Sequence, residues 1–178
     1  MATATLISSD EYLNTSYAPD MEFVDGVLVR KGTGEQPHGK LIAIVTSFFW
    51  QSRKSHGLRV FVATRLQLDP ERTHRVPDVL VLEKPYKKGR VVEDVPAVVV
   101  EVTSPGDRFD DILDKCFDYE KLSVATTIVM DPNNKRAYLF RQGSFQLLKG
   151  PFVGLTLPRQ QLTIDFPFAQ MFAELDED

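Results

Sequence analysis

Two short apolar runs, each interrupted by one carboxylate, place the strongest constraint on how this chain can fold. Asp78 lies in the run 76–82, and Glu101 lies in the run 97–102. Such runs of Val and Leu are typical of strands that are buried on both faces. Because an unpaired carboxylate costs several kcal/mol to desolvate, two of them in neighbouring buried strands predict a cation between them.

The segment between the two runs indicates how the strands pair. Residues 83–96 are polar and rich in turn-forming residues, which favours a hairpin-like connection and an antiparallel pair. If Leu82 lies opposite Ala97, Asp78 lies opposite Glu101, with Cβ atoms about 5 Å apart. A divalent cation would turn the repulsion between the two acids into attraction. A register shifted by one residue would instead place them on opposite faces.

Composition narrows the class of protein. The 178 residues are 43% hydrophobic and 26% charged, which fits one globular domain, 1–178, with a sizeable core. No apolar run approaches the roughly 20 residues of a membrane span, and residues 1–5 lack the pattern of a secretory signal. The single Cys116 excludes an internal disulfide and argues against a cysteine-based zinc site. We therefore expect a cytoplasmic protein without a membrane partner.

The balance of charge leaves nucleic acid open as a partner. The net charge of −4 is unusual for a dedicated nucleic-acid binder, which commonly presents a basic face. Basic residues nevertheless cluster at 53–54, 72–75 and 84–90. Bound metal ions would also offset part of an acidic site.

The order of predicted elements favours an α/β fold of the mixed α+β kind, with a central mixed and mostly antiparallel β-sheet flanked by helices. A short capped N-terminal helix is predicted at 8–13 and a β-hairpin at 22–29. Helical periodicity follows at 37–56 and at 109–122. Strands are predicted at 58–68, in the two acid-containing runs and between 124 and 148, with a last strand pair before a short helix at 166–175.

The two acids sit in a recognisable local pattern. Pro77-Asp78 followed by Glu101-Val102-Thr103 resembles the PD-(D/E)XK superfamily of nucleases. In that superfamily the Asp and the Glu hold magnesium from adjacent strands, and a Lys normally stands two residues after the Glu. Thr103 occupies that position here, so this chain departs from the standard pattern.

A wider set of short blocks resembles the Uma-two family of restriction-endonuclease-like proteins. The blocks run from about residue 22 to residue 132, in the order 22–26, 37–38, 75–79, 100–105 and 111–115 with Tyr119. The resemblance implies a restriction-endonuclease-like core. It also implies that the missing lysine is supplied by the following helix, where Lys115 is the matching position.

The resemblance assigns roles to individual residues. Asp78 and Glu101 would hold Mg²⁺ or Mn²⁺, which prefer hard oxygen ligands, and Val102 would lend its carbonyl. Lys115 would be the catalytic cation, and Glu22 a third acid at the site. A bound ion polarises the phosphate, and a neighbouring lysine stabilises the developing charge. Contacts to the site acids or to phosphate are expected from His38, Thr103 and Arg75.

Each of these residues also has a structural interpretation, which the sequence leaves open. Asp78 follows a proline, as turn residues often do, and Glu101 could end its strand in solvent. Lys115 lies four residues after Asp111, the spacing of an ion pair on a helix surface. Glu22 is compatible with an exposed strand position. A structural role is the simpler interpretation of His38 at its helix start, of Cys116 on an apolar helix face, and of the aromatic residues Phe48, Phe49 and Trp50.

Three functions follow from these alternatives. The leading one is a metal-dependent endonuclease that cleaves DNA, working as a homodimer because two strands need two active sites. The second is a nucleic-acid-binding or regulatory module that keeps the fold without cleavage. The third is a structural homodimer formed through the late strands 138–140 and 145–148. The sequence contains no P-loop, Rossmann glycine pattern or nucleophile elbow.

Overall fold

The chain forms helices on both faces of a mixed sheet, within residues 6–32 and 34–177, which are the ones that the computed structural model describes. The interpretation of residues 1–5 concerns a segment outside this range. The helices are α1 (Ser9–Asn14), α2 (Gln36–Ser52), α3 (Phe109–Lys121) and α4 (Phe168–Ala173), with a final 3-10 turn at Glu174–Asp176. The strands are β1 (Met21–Val24), β2 (Val27–Arg30), β3 (Leu58–Val62), β4 (Leu66–Asp69), β5 (Thr73–Arg75), β6 (Val79–Glu83), β7 (Val98–Val102), β8 (Thr126–Asp131), β9 (Arg136–Arg141), β10 (Ser144–Leu147), β11 (Val153–Leu157) and β12 (Leu162–Phe166).

A six-stranded sheet forms the centre, in the order β10-β9-β8-β7-β6-β3. Only β7 and β8 are parallel among these strands, and α3 connects them. The predicted central mixed sheet with flanking helices is confirmed. The pairs Val79–Val100 and Val81–Val98 continue the register that was predicted for the two acid-containing runs.

Strand alternation sends successive side chains of β6 and β7 to two different cores. On one face Val79, Val81, Val98 and Val100 pack against α2, α4 and the β11–β12 hairpin. On the other face Leu80, Leu82 and Val99 pack with Tyr119 of α3. Asp78 and Glu101 share the parity of Leu80 and Val99, so both acids belong to the α3 face.

A smaller sheet, in the order β2-β1-β5-β4, carries the predicted N-terminal hairpin. Helix α1 lies beside it and begins as predicted, with the Ser8 hydroxyl accepting the backbone N–H of Glu11 at 3.1 Å. The Tyr12 ring stacks on Phe23 with ring centres 5.2 Å apart. The first hairpin is therefore held by an aromatic contact as well as by its own hydrogen bonds.

Three of the predicted boundaries are wrong. The run 58–68 forms two strands in different sheets, because the chain turns at Ala63, whose φ is +45°. Helix α2 ends at Ser52, four residues before the predicted end. Strand β6 begins at Val79, so residues 76–78 are the link between the small and large sheets. This last difference places Asp78 in a connection instead of inside a strand.

None of the described helices is both long enough and apolar enough to cross a bilayer.

Two adjacent aromatic residues of α2, one buried in the main core and one at the surface, should differ in their contribution to stability. Phe49 is fully buried and stacks on Phe166 at 5.7 Å, whereas Trp50 is 51% exposed and lies under Arg53. We expect Phe49→Ala to lower the free energy of unfolding by about 3 to 5 kcal/mol. Trp50→Ala should lower it by about 1 kcal/mol or less. Urea unfolding followed by circular dichroism measures both, and equal losses would contradict this assignment of the core.

Candidate active site

A cavity of about 180 Å³ lies where the small sheet, the large sheet and α3 meet. All eight residues predicted for the site line it: Glu22, His38, Arg75, Asp78, Glu101, Val102, Thr103 and Lys115. They come from both sheets and from two helices. Residues separated by more than ninety positions in the sequence are therefore brought around one small space.

Asp78 is held as an anion by three donors. Its Oδ1 lies 2.8 Å from Nζ of Lys31, and its Oδ2 accepts the backbone N–H of Val102 at 2.8 Å. Nε2 of His38 lies 3.5 Å from the same Oδ2. Burial by itself raises the pKa of this carboxyl, but the contacts from His38, Lys31 and Val102 outweigh burial and hold the pKa well below its usual range.

Glu101 is also buried, with less compensation. Its Oε1 accepts a 2.5 Å hydrogen bond from the Tyr119 hydroxyl, and its Oε2 lies 3.5 Å from Nζ of Lys115. Burial raises the pKa of Glu101, and the charge of Asp78 adds to the rise, while Lys115 opposes it. The outcome is a raised pKa, so Glu101 holds a proton more readily than an exposed glutamate.

Lys115 reaches the site from α3 and contacts two acids. Its Nζ lies 3.1 Å from Oε1 of Glu22 and 3.5 Å from Oε2 of Glu101. Burial lowers the pKa of Lys115, but the two carboxylates overcome this and raise it above its usual value. The ammonium is therefore charged at neutral pH, and it points into the site instead of pairing with Asp111 on the helix surface.

Glu22, Arg75 and Asp118 form a clamp of linked charges behind Lys115. Glu22 is 1% exposed, which excludes the exposed strand position. Its Oε1 accepts the backbone N–H of Val76 at 2.9 Å, and its Oε2 accepts Nη1 of Arg75 at 3.0 Å. Arg75 also donates from Nε and Nη2 to Oδ2 of Asp118, at 2.9 and 2.7 Å. The guanidinium of Arg75 thus contacts two acids, Glu22 and Asp118. Contact with an acid was one of the two contacts expected for Arg75, the other being phosphate.

Thr103 stands where the standard motif has its lysine, and it lines the cavity. Its backbone N–H donates to the carbonyl of Met130 at 2.9 Å, which extends the contact between the β7 and β8 segments. Thr103 thus continues the sheet, and the positive charge is contributed by α3.

Sequence reasoning gave no role to three residues of this network: Lys31, Asp118 and Tyr119. Lys31 could have been found from the hairpin, where β1 pairs Glu22 with Val29. Because alternate residues share a face, Lys31 extends the face of Val29 and Glu22. Tyr119 lies one helical turn beyond Lys115 and shares its side of α3.

The network carries an excess of negative charge. Among the described side chains, four buried or half-buried carboxylates, Glu22, Asp78, Glu101 and Asp118, contact three lysine or arginine side chains that are themselves buried or half-buried, Lys31, Arg75 and Lys115. A further lysine, Lys121, lies 3.6 Å from Asp118, but its side chain is 78% exposed, so solvent screens its charge. One carboxylate of the four therefore lacks a full partner. The raised pKa of Glu101 identifies it as that carboxylate. The arrangement can therefore accept either a proton or a further cation.

The oxygen donors suit a magnesium-like ion that keeps several water ligands. Two carboxylates, Asp78 and Glu101, and the backbone of Val102 border the cavity, and Mg²⁺ is commonly held by only one or two protein carboxylates. The described residues contain no group of three His, Cys, Asp or Glu side chains placed to hold a metal ion. The residues present thus fit a sparsely coordinated hard ion and not a closed structural site.

The two acids should respond in opposite ways to loss of charge. Asp78→Asn removes the partner of buried Lys31 and should lower the free energy of unfolding by about 3 kcal/mol. Glu101→Gln keeps an acceptor for Tyr119 and removes the excess charge, so we expect the metal-free protein to become more stable. Thermal unfolding in EDTA checks both changes. A loss of stability in Glu101→Gln as large as that in Asp78→Asn would contradict the charge assignment.

Comparisons with known proteins bear on the fold and on the family. A crystal structure described as a putative nuclease belonging to DUF820 from Anabaena variabilis ATCC 29413 shares the fold, with a TM-score of 0.78 and 18% sequence identity over 95% of this chain and 99% of that chain. The comparison with curated proteins gives no match. A family model named Uma2, "Putative restriction endonuclease", matches residues 10–165. Since this match spans most of the chain, the protein belongs to the Uma2 family of restriction-endonuclease-like proteins.

Proposed function

We propose that the protein is a metal-dependent endonuclease that hydrolyses phosphodiester bonds of DNA. Asp78, Glu101 and the carbonyl of Val102 would hold Mg²⁺ or Mn²⁺, and Lys115 would be the catalytic cation. The observation that carries this proposal is the position of the Lys115 ammonium, 3.5 Å from Glu101 and 3.1 Å from Glu22. A positive charge stands beside the paired acids although the usual motif position holds Thr103.

The bound ion would polarise the phosphodiester and favour formation of the attacking hydroxide. The chain's own residues divide the remaining tasks. Lys115 stays protonated because Glu101 and Glu22 raise its pKa, so it acts as a fixed positive charge toward the phosphate and not as a general base. The Tyr119 hydroxyl binds Oε1 of Glu101 and thereby orients that carboxylate.

Glu22 and Arg75 would act through Lys115. Glu22 is fixed by Arg75 and by the N–H of Val76, and it accepts the lysine ammonium at 3.1 Å. Asp118 holds the other side of the Arg75 guanidinium. This clamp limits the positions that the Lys115 head group can take, which is the preorganisation that electrostatic catalysis requires.

Cleavage of both strands of a duplex requires two such sites, so we propose that the active form is a homodimer. A light-scattering mass equal to that of the monomer under cleavage conditions would contradict this part of the proposal.

The first test is nicking of plasmid DNA in Mg²⁺ or Mn²⁺. We expect Glu101→Gln and Lys115→Met to lower the cleavage rate by about 100-fold or more, because the first removes a charged ligand of the ion and the second removes the positive charge toward the phosphate. Lys149→Met is the control, since this lysine is exposed and does not line the cavity. The proposal fails if the wild type does not nick DNA, or if the Lys115 and Lys149 variants behave alike.

The second test uses the raised pKa of Glu101. An ion binds the deprotonated carboxylate, so binding of Mn²⁺ should release protons and should strengthen as pH rises through the pKa of Glu101. Calorimetric titrations in buffers of different ionisation enthalpy measure the protons released. Glu101→Gln is expected to bind Mn²⁺ without that proton release. Identical proton release from the wild type and Glu101→Gln would rule out Glu101 as the source.

A second candidate, a nucleic-acid-binding or regulatory module without cleavage, is favoured by one observation. Lys31 and Lys115 already lie beside the two acids, at 2.8 Å from Asp78 and 3.5 Å from Glu101. Lysines that permanently neutralise the acids would leave no room for an ion. Absence of saturable, Asp78-dependent binding of Mn²⁺ would favour this candidate over the nuclease.

A further inference from the structure

Among the lysine and arginine side chains that the structure describes, Lys31 is the one that contacts Asp78 directly. Its Nζ lies 2.8 Å from Oδ1 of Asp78 and donates to the carbonyl of Val76 at 2.7 Å. The side chain is 14% exposed. Lys31 follows the last residue of β2 and lies outside both acid-containing runs, so the nuclease-like motif gives it no role.

The surroundings of Lys31 leave space for its head group to move. A second cavity, of about 330 Å³, adjoins the first, and Lys31, His38 and Asp78 line both. The other walls of the second cavity include Pro19, Ile42 and Val62. A lysine side chain has a flexible four-carbon stem. The ammonium can therefore leave Asp78 for the adjoining cavity without disturbing the packed core.

Charge and position together indicate what such a movement would do. A divalent ion held by Asp78 would repel a lysine ammonium 2.8 Å from that carboxylate. Because Lys31 lines both cavities, the displaced ammonium would stay close enough to the site to contact a phosphate group bound there. Lysine binds phosphate as a compact point charge.

We infer that Lys31 neutralises Asp78 in the metal-free protein, gives way to the divalent ion, and then pairs with the phosphate group of the DNA substrate. This inference rests on the proposed function and adds a second substrate-binding cation to it. It predicts effects of opposite sign on the two ligands. Removing the lysine should tighten metal binding and weaken DNA binding, whereas a lysine with a purely structural role would weaken both when it is lost.

The test of the first effect is calorimetric titration with Mn²⁺ alone. We expect Lys31→Met to bind Mn²⁺ at least about tenfold more tightly than the wild type, because a charge-assisted hydrogen bond no longer competes for Asp78. Lys31→Arg, which keeps the positive charge, should bind Mn²⁺ less tightly than Lys31→Met. Lys54→Met is the matched control, since Lys54 is exposed and lies beyond the opposite end of α2. The gain should vanish when Asp78→Asn is added.

The test of the second effect is binding of a fluorescein-labelled DNA oligonucleotide in saturating Ca²⁺, measured by anisotropy. Ca²⁺ prefers the same hard oxygen ligands. We expect Lys31→Met to bind the oligonucleotide several-fold more weakly than Lys149→Met does. Lys149 is the control here because it is exposed and lies outside the basic clusters. Circular dichroism of each variant shows whether it is folded. Lys31→Gln, which removes the charge but can still donate a hydrogen bond to Asp78, serves in place of Lys31→Met if the latter unfolds.

The outcomes separate this inference from the proposed function. If the wild type and Lys31→Met bind Mn²⁺ equally, the inference is overturned and the metal site stands. If Lys31→Met binds both ligands more weakly, Lys31 is structural and the inference is again overturned. If neither protein binds Mn²⁺, the proposed function fails together with the inference. Tighter Mn²⁺ binding and weaker oligonucleotide binding by Lys31→Met would support it.

Discussion

The opposed carboxylates of Asp78 and Glu101 are the interaction on which the rest of this site depends. The register of β6 and β7 brings the end of β7, with Glu101, to the start of β6, just after Asp78, and burial makes each charge costly. Two neighbouring elements provide positive charge. Lys31, just after the hairpin, contacts Asp78, and Lys115 on α3 contacts Glu101. The hairpin, the central sheet and α3 are therefore joined by electrostatic contacts as well as by apolar packing.

The same burial has opposite outcomes for the two acids. Asp78 receives a lysine, a histidine and a backbone N–H, and its pKa falls. Glu101 has a tyrosine hydroxyl and a more distant lysine, and its pKa rises. Neighbouring carboxylates whose pKa values are shifted in opposite directions by their surroundings are typical of sites that transfer protons or bind cations. A protein selected for stability alone would have little reason to retain a buried acid without a full partner.

Helix α3 is the crossover connection between β7 and β8, the two parallel strands of the central sheet. Its face toward the sheet contributes Cys116 and Tyr119 to the cores and Lys115 to the site. A helix that must pack in one orientation to cover the sheet also fixes where its lysine stands. The position of Lys115 beside Glu101 is thus set by the packing of the fold and not by local sequence.

The antiparallel register and the α3 helix were predictable, because each follows from spacing and from strand or helix periodicity. The approach of Lys115 to Asp78 and Glu101 was expected only from the resemblance to the Uma-two family. The break at Ala63 was not, since strand propensity carries no information about a residue with positive φ. Lys31 was missed because it lies 47 positions before Asp78 and outside the predicted hairpin strands. A salt bridge between such distant residues depends on how two sheets are placed relative to each other.

Local patterns were therefore sufficient for the mixed fold, the family and the two acids that face each other. Hydrophobic periodicity and the cost of burying charge act over a few residues, and they can be recognised without coordinates. The charge balance of the cavity, the clamp of Glu22, Arg75 and Asp118, and the contact of Lys31 with Asp78 required the folded chain. These features depend on distances between separate elements, which long-range packing sets and no local pattern encodes.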